Sequence, residues 1–297
     1  MENNKQLVNE KLFNILKEFK RVCAENDLKY SLYAGTLIGA IREDDFIPWD
    51  DDVDVIMLRE DYDKFKKLAE NGAFKEPYFL QNPNTDEGSP RMFCRLRDSS
   101  TTSVSNTDIL LKMNHGIFID VFPADYVPRD PKKMKKMVQK LTFWDRIAGA
   151  YSRYYAKIGS KGDSIKKKIA YTLLYPFFCT GIFTAKKSFE HFEKVASQYK
   201  NKKELCDSVA DSLWLVYDPK YYFNKAYFEN GYTEHTFHNE KFMVFKEYDK
   251  LLTDMYGDYM TPVEQPTSHG SLIQRTDISY KEYIKENYDE IKAMWKK

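Results

Sequence analysis

Apolar positions along the chain fall into runs of different period, and the changes of period predict its elements. Leu7, Leu12, Phe13, Leu16, Phe19 and Val22 recur at helical spacing, which predicts an amphipathic first helix. Residues 28–33 read as a short strand, Ala34-Gly35-Thr36 as a turn, and 37–42 as a short helix. Pro48 closes an irregular link, and the β-branched run 53–57 predicts a second strand. Residues 59–70 return to helical spacing and stop at Asn71-Gly72. Further strands are expected at 78–81, 92–96 and 116–121, with a polar loop over 82–90. Helices and strands that interleave in this way predict an α/β or α+β unit.

Over 131–200 the pattern changes to long helical runs carrying sixteen Lys and Arg against four acidic residues, a bias that points to a partner. Lys166-Lys167-Lys168 stand directly before a nearly uncharged stretch, 169–183, with Leu173, Leu174, Phe177, Phe178, Ile182 and Phe183. Pro176 and the shortness of the run exclude a membrane crossing, which needs roughly 18 apolar residues. Two readings fit: an interfacial helix on anionic lipid, or a buried helix pair capping the preceding unit. A last mixed region follows, with a helix expected over the tail, 279–297. The predicted division is a core at 1–128, a basic helical insert at 129–205, and a C-terminal region at 206–297 that completes the site.

A net charge of +1 with 31% charged residues describes a soluble globular chain, and no nucleic-acid partner is expected. Cys23, Cys94, Cys179 and Cys206 stand at no metal-ligand spacing and fit a reducing cytoplasm. The first residues lack an apolar signal region, so the expected location is cytoplasmic, with peripheral contact at the inner face of the membrane if the insert is interfacial. The 22 Tyr and 20 Phe serve first as core, but exposed rings also make faces for sugars and cations.

The candidate chemistry lies at Asp50-Asp51-Asp52-Val53-Asp54. On a strand, Asp50, Asp52 and Asp54 would share a face, with Asp51 and Val53 turned away. Tight apolar flanks on both sides carry these charges to the edge of a core. Carboxylates at this spacing suit a hard divalent cation such as Mg2+, with Mn2+ as the alternative. An EF-hand is excluded, because its required Gly and Glu positions are filled by Val55 and Asp61. Asp120 is the single acid of the strand expected at 116–121, and a charge there needs a partner or a metal.

The run from Tyr33 through Arg42 (YAGTLIGAIR) and the run from Phe46 through Asp54 together resemble the signature of the LicD family. The resemblance extends through Leu80-Gln81-Asn82-Pro83, Arg95-Leu96-Arg97-Asp98 and the segment from His115 to Pro123, and resumes at Tyr248-Asp249 and Tyr256-Gly257-Asp258-Tyr259-Met260. It implies an α+β nucleotidyltransferase-like fold: a mixed sheet, flanking helices and a helical insert. It further implies Gly35-Thr36 at the turn before the Asp52/Asp54 pair, and Asp120 as the third carboxylate, either binding metal or taking a proton. The implied reaction moves phosphocholine, or a related phospho-alcohol, from CDP-choline or another CDP-alcohol to a hydroxyl of a glycan or lipid-linked glycan, releasing CMP. A nucleotidyltransferase that releases diphosphate is the alternative. After Met260 the chain continues Thr261-Pro262-Val263-Glu264-Gln265-Pro266, departing from the family's usual Pro-Pro and basic residues.

Several residues support the site. Gly35 would let backbone approach phosphates, with the helix after it pointing its N-terminus at them. Arg42 has two readings, a phosphate grip or an ion pair with Glu43 or Asp44. Arg95 and Arg97 share a strand face, and two like charges there suggest an anion between them. His115 reads as an ordinary hydrogen-bonded histidine.

Overall fold

The computed structural model describes residues 2–105, 108–156, 164–219, 221–264, 272–289 and 291. Helix α1 (Glu2–Glu25) buries Val8, Leu12, Ile15, Phe19 and Val22, a stripe at helical spacing, and leaves the expected Leu7 exposed. Strand β1 (Ser31–Leu32) is shorter than the 28–33 run. The chain reverses at Ala34, whose φ of +47° lies in the left-handed region, and α2 (Ala34–Arg42) begins at once. Gly35 and Thr36 are therefore inside the first helical turn rather than in a separate turn. Strand β2 (Asp54–Leu58) runs straight into α3 (Arg59–Glu70).

Strands β3 (Tyr78–Gln81), β4 (Cys94–Asp98), β5 (Thr102–Ser105) and β6 (Ile117–Pro128) follow. The strand expected at 116–121 thus continues to Pro128, straight through Pro123. Alternation from Asp120, whose N–H reaches Val53 O toward β2, turns residue 123 toward the opposite edge. There β4 ends opposite Val121 and the next partner begins opposite Ala124, so the missing N–H of Pro123 breaks no ladder bond. The insert comprises α4 (Pro131–Tyr155), α5 (Ile165–Cys179) and α6 (Ala185–Ala196). Asp130 caps α4 by accepting from the Lys132 and Lys133 amides, with Pro131 at the first helical position.

After the insert come β7 (Cys206–Asp211), α7 (Trp214–Tyr217), β8 (Phe223–Asn224) and α8 (Ala226–Glu229). The hairpin of β9 (Tyr232–Phe237) and β10 (Glu240–Phe245) precedes α9 (Tyr248–Tyr256), β11 (Leu272–Arg275) and α10 (Tyr280–Glu286). The tail helix expected over 279–297 is shorter where it is described, and residues 290 and 292–297 lie outside the described residues, as does His269.

The main sheet is mixed, in the order β1-β2-β6-β4-β3, with β7 and then β8 joined to the second half of β6. Among the described residues only the β2–β6 pair is parallel, and the mixed sheet with flanking helices is an α+β arrangement. The C-terminal region enters this sheet through β7 and β8, and β11 pairs with β5. Val55, Met57, Leu96, Ile117, Ile119 and Val121 face a core shared with α1 and α3. Ile56, Phe122, Ala124 and Tyr126 lie on the opposite face.

The insert is tied to the sheet by charge as well as by apolar packing. Arg59 is fully buried at the start of α3 and grips both oxygens of Asp125 at 2.7 Å. Its Nη1 donates to Glu193 on α6 at 2.9 Å, and Lys66 also donates to Glu193. Ser212 donates to the same Asp125 at 2.9 Å. Helix α5, in contrast, docks on α4 along one side, through Tyr171, Leu174 and Phe178 with Tyr175 and Cys179 against Tyr154, and leaves most of its length exposed, so the buried-pair reading of the insert does not describe it.

Asp125→Ala leaves a buried guanidinium without its bidentate partner, which costs about 3–5 kcal/mol. Urea unfolding of the variant should show that loss, and a change below about 1 kcal/mol would mean the pair does not hold α3 to the sheet.

Candidate active site

The strand register brings charge together at one place. Asp54 on β2 lies opposite Asp120 on β6, and Asp120 lies opposite Arg95 on β4. Three neighbouring strands thus present carboxylate, carboxylate and guanidinium in one line on one face. Arg95 donates to both oxygens of Asp120, at 2.7 and 3.1 Å. Asp120 therefore has the partner its burial requires, and each oxygen keeps a further lone pair for a ligand. Asp54 Oδ1 is buried with no hydrogen-bond partner.

The residues before β2 are not strand, so the alternation expected at 50–54 does not apply to them. Asp51 is not turned away. One carboxylate oxygen each of Asp50, Asp51 and Asp52 lies within 4.8 Å of the others, which among the described residues is the tightest acidic group able to hold a cation. Asp52, Asp54 and Asp120 together do not reach that closeness. Asp52 connects the two sets, since Asp50, Asp120 and Asp51 all act on its charge.

Gly35 has a clear reason to be glycine. A Cβ there would meet Asp50 Oδ2 at 2.4 Å, so the first turn of α2 and the Asp50 carboxylate occupy adjoining space. Thr36 accepts a hydrogen bond from the Asp54 amide at 2.9 Å, fixing the start of β2 to α2. Arg42 does not join this group. It pairs with Glu43 at 2.7 Å, the ion-pair reading of the two, donates to Tyr259 O at 3.0 Å, and is not among the residues that line the cavity shared by Asp52, Asp54 and Asp120.

Asp52, Asp54, Asp120, Arg95 and Arg97 all line a cavity of about 400 Å3. The two guanidiniums lie over the Phe118 ring, at 3.8 and 4.7 Å from its centre. Arg97 is held by neutral acceptors, Gln81 Oε1 and Gly116 O, both at 2.6 Å. Burial and the neighbouring Arg95 both disfavour its charged form, so an anion in the cavity would relieve it. His115 also lines the cavity but is bound to Leu111 O, and burial pulls its pKa down to about 4. Phe93, Phe122, Trp214, Tyr217, Tyr221 and Tyr256 add aromatic walls.

Sequence reasoning missed Arg91 and Asp108, an ion pair at the rim, and the ring cluster on and after α7. Trp214-Leu215-Val216-Tyr217 is a short apolar run with no periodic signal that separates core from cavity wall. Tyr256, part of the Tyr-Gly-Asp-Tyr-Met run, lines the same cavity as Asp52 and Asp54; burial chiefly raises its phenol, with Tyr221 and then Asp54, Asp50 and Asp52 adding to the rise. Asp249 instead accepts from Tyr259 Oη at 2.6 Å, and Asp258 from Thr261 Oγ1 at 2.7 Å.

Burial raises the carboxyls of Asp50, Asp52 and Asp54, and for Asp52 and Asp54 mutual repulsion adds to it; only Arg95 works against the rise at Asp54 among its principal neighbours. A cation in the cavity would reverse the effect by favouring the charged forms.

Charged groups in register across a mixed sheet, facing a ring-lined cavity, define an α+β protein with a candidate site for a ligand carrying both charge and apolar surface. The family is shown by comparison with known proteins. Residues 27–155 match the family described as LicD/FKTN/FKRP, nucleotidyltransferase domain. The chain is 31% identical over 271 residues to the lipopolysaccharide cholinephosphotransferase LicD of Haemophilus influenzae, covering 86% of this chain and 92% of that one. Shorter similarities, 35% and 38% identical, link 19% and 17% of the chain to uncharacterized proteins of Rickettsia typhi and Rickettsia prowazekii, covering 18% and 19% of those chains. The chain belongs to the LicD family.

Asp211, at the end of β7 close to Tyr33 and Tyr221, carries a testable signature. Burial pushes its carboxyl up to about 7. Between the ordinary carboxylate range and pH 7 the folded chain holds a proton that the unfolded chain has lost. Stability therefore falls as pH rises across that window and levels off above it. Asp211→Asn keeps the acceptor for the Leu213 amide and should be more stable than wild type at pH 8 by about 2–4 kcal/mol, the gain vanishing near pH 4. Identical melting-temperature profiles against pH for the two proteins would refute this.

Proposed function

We propose that the chain transfers phosphocholine, or a related phospho-alcohol, from a CDP-linked donor to a hydroxyl of a cell-surface glycan, releasing CMP. The observation that carries this reading is the in-register line of Asp54, Asp120 and Arg95, with Asp52 beside it, on the cavity floor. The relative matched over most of its length is named a lipopolysaccharide cholinephosphotransferase, which supports lipopolysaccharide or a similar glycan as acceptor.

Asp52, Asp54 and Asp120 offer the hard oxygen donors that Mg2+ takes, with Mn2+ as the alternative; their oxygens stand farther apart than those of Asp50, Asp51 and Asp52, and the partnerless buried Oδ1 of Asp54 fits a ligand atom awaiting a cation. Such an ion, when bound, neutralises charge on the donor diphosphate and on the leaving phosphate. The chain's own residues supply the remainder. Arg97 meets phosphate oxygens as a fork of donors, and Arg95 holds Asp120 in one orientation. The acceptor oxygen bonds to the phosphorus of the phospho-alcohol. The bond to CMP breaks with its electron pair, and the hydroxyl proton passes to a carboxylate of the line, Asp120 among them. A quaternary ammonium makes no hydrogen bonds, so the faces of Trp214, Tyr217, Tyr221 and Tyr256 are its natural neighbours.

The family description, which names a nucleotidyltransferase domain, favours a second reading: transfer of a nucleoside monophosphate with release of diphosphate. Mass analysis after incubation with CDP-choline, CDP-ethanolamine, CDP-glycerol or CDP-ribitol and a glycan acceptor separates the two. We expect CMP and a glycan heavier by one phospho-alcohol; release of diphosphate with a nucleotidylated product would overturn the transfer reading.

Asp52→Asn and Asp54→Asn should each lower turnover by at least about 1,000-fold, the scale of losing a principal electrostatic group, with circular dichroism unchanged. Arg95→Lys, which cannot grip Asp120 at two points, should lose about 10- to 100-fold. Near-wild-type turnover in either aspartate variant would sink the metal assignment.

A further inference from the structure

Helix α5 presents an apolar face that the described residues leave exposed. Ile165, Ile169, Leu173 and Phe177 stand four residues apart along one side, with 77, 55, 67 and 43% of their surface exposed. Nearby, Ile182 is 53% and Phe143 is 48% exposed, and the Phe183 ring touches those of Phe143 and Phe177. The opposite side of the helix, Tyr171, Leu174 and Phe178, is the part that packs on α4. An apolar stripe on each side is what a helix carries when it lies between a protein and a second apolar phase.

Charge identifies that phase. Lys166, Lys167 and Lys168 fill the first turn, and no acidic residue accompanies them. The positive end of the helix dipole disfavours cations at that end, so the lysines weaken the isolated helix. An anionic surface offsets this cost. The surrounding insert, with sixteen basic residues to four acidic over 131–200, carries the same sign. Among the described residues no helix is long and apolar enough to cross a membrane, and Pro176 interrupts α5, so the helix suits the interface plane rather than a span.

We propose that α5 is a membrane-surface anchor: it lays the Ile165–Ile169–Leu173–Phe177 stripe into the acyl boundary of an anionic bilayer, with its three lysines among the phosphate headgroups. The inference rests on the exposed stripe and its charge and does not require the transfer reaction. A groove of about 1070 Å3 between α4 and α5, walled in part by Lys166, Lys167 and Tyr171, shares Arg91, Phe93, Leu213 and Tyr217 with the catalytic cavity. The groove at α5 and the cavity that holds Asp120 thus lie on either side of the same four side chains.

Flotation of the full chain with vesicles tests this. Wild type should float with phosphatidylglycerol–phosphatidylcholine vesicles at low salt, lose most of that binding at high salt, and stay down with pure phosphatidylcholine. Replacing Lys166, Lys167 and Lys168 by Gln should weaken the partition on the order of 100-fold. Ile169→Asn with Leu173→Asn should abolish flotation without changing the melting temperature, since both side chains already face solvent. A wild-type chain that stays unbound at low salt, or binds neutral and anionic vesicles equally, overturns the proposal. So does a lipid-free dimer, seen by analytical ultracentrifugation, that the Ile169/Leu173 variant dissociates, because the stripe would then be a contact between copies.

Discussion

The confinement of Asp120 between Asp54 and Arg95 constrains the rest of this structure. Two unit charges about 4 Å apart near a protein surface interact by about 4 kcal/mol, so the arrangement stands only if attraction on one side offsets repulsion on the other. Arg95 supplies that attraction at two points. The constraint extends to strand pairing: slipping β2 or β4 by one residue would turn Asp54 or Arg95 into the core under α1. Register, buried charge and the apolar face of the sheet therefore support one another.

Strand β6 carries a second acid, Asp125, an odd number of residues after Asp120 and so on the other face. Its partner Arg59 also reaches Glu193 of α6, so one strand faces the cavity with one Arg–Asp pair and holds the insert with another. The two pairs differ in use. Arg59 and Asp125 are sealed from solvent and serve position, whereas Arg95 and Asp120 line a cavity and retain capacity for a ligand. Breaking the first would loosen α6 and, through its packing, α4, and it is α4 that forms one wall of the groove adjoining the cavity.

The floor and the walls of the candidate site come from different parts of the chain. The floor is made by β2, β4 and β6, all within the first 128 residues, with the Phe93 and Phe122 rings beside it; the rest of the aromatic wall, Trp214, Tyr217, Tyr221 and Tyr256, comes from the C-terminal region. The ladder from β6 to β7 is what brings the second set to the first, because it fixes where α7 begins. The rings are consequently set by strand pairing far from the carboxylates in sequence.

Much of the fold was legible because its signals are local. The helical stripe of α1, the Arg59–Glu70 helix with its Asn71-Gly72 stop and the Tyr78–Gln81 strand follow from periodicity and capping over a few residues. The Asp-rich run and Asp120 were legible as well, since a charge inside an apolar run must have a reason to be there. The sequence by itself thus determined the class of fold, the family and which carboxylates are the candidates. Tertiary structure alone decided that Asp51 turns toward Asp50 and Asp52, that Arg42 pairs with Glu43 and the Tyr259 carbonyl, that β6 passes through Pro123, and which of 42 Tyr and Phe side chains line the cavity. Those outcomes depend on pairing partners distant along the chain: a proline is harmless only where the adjoining strands leave a gap, and a ring becomes a wall only when another element brings it to an opening.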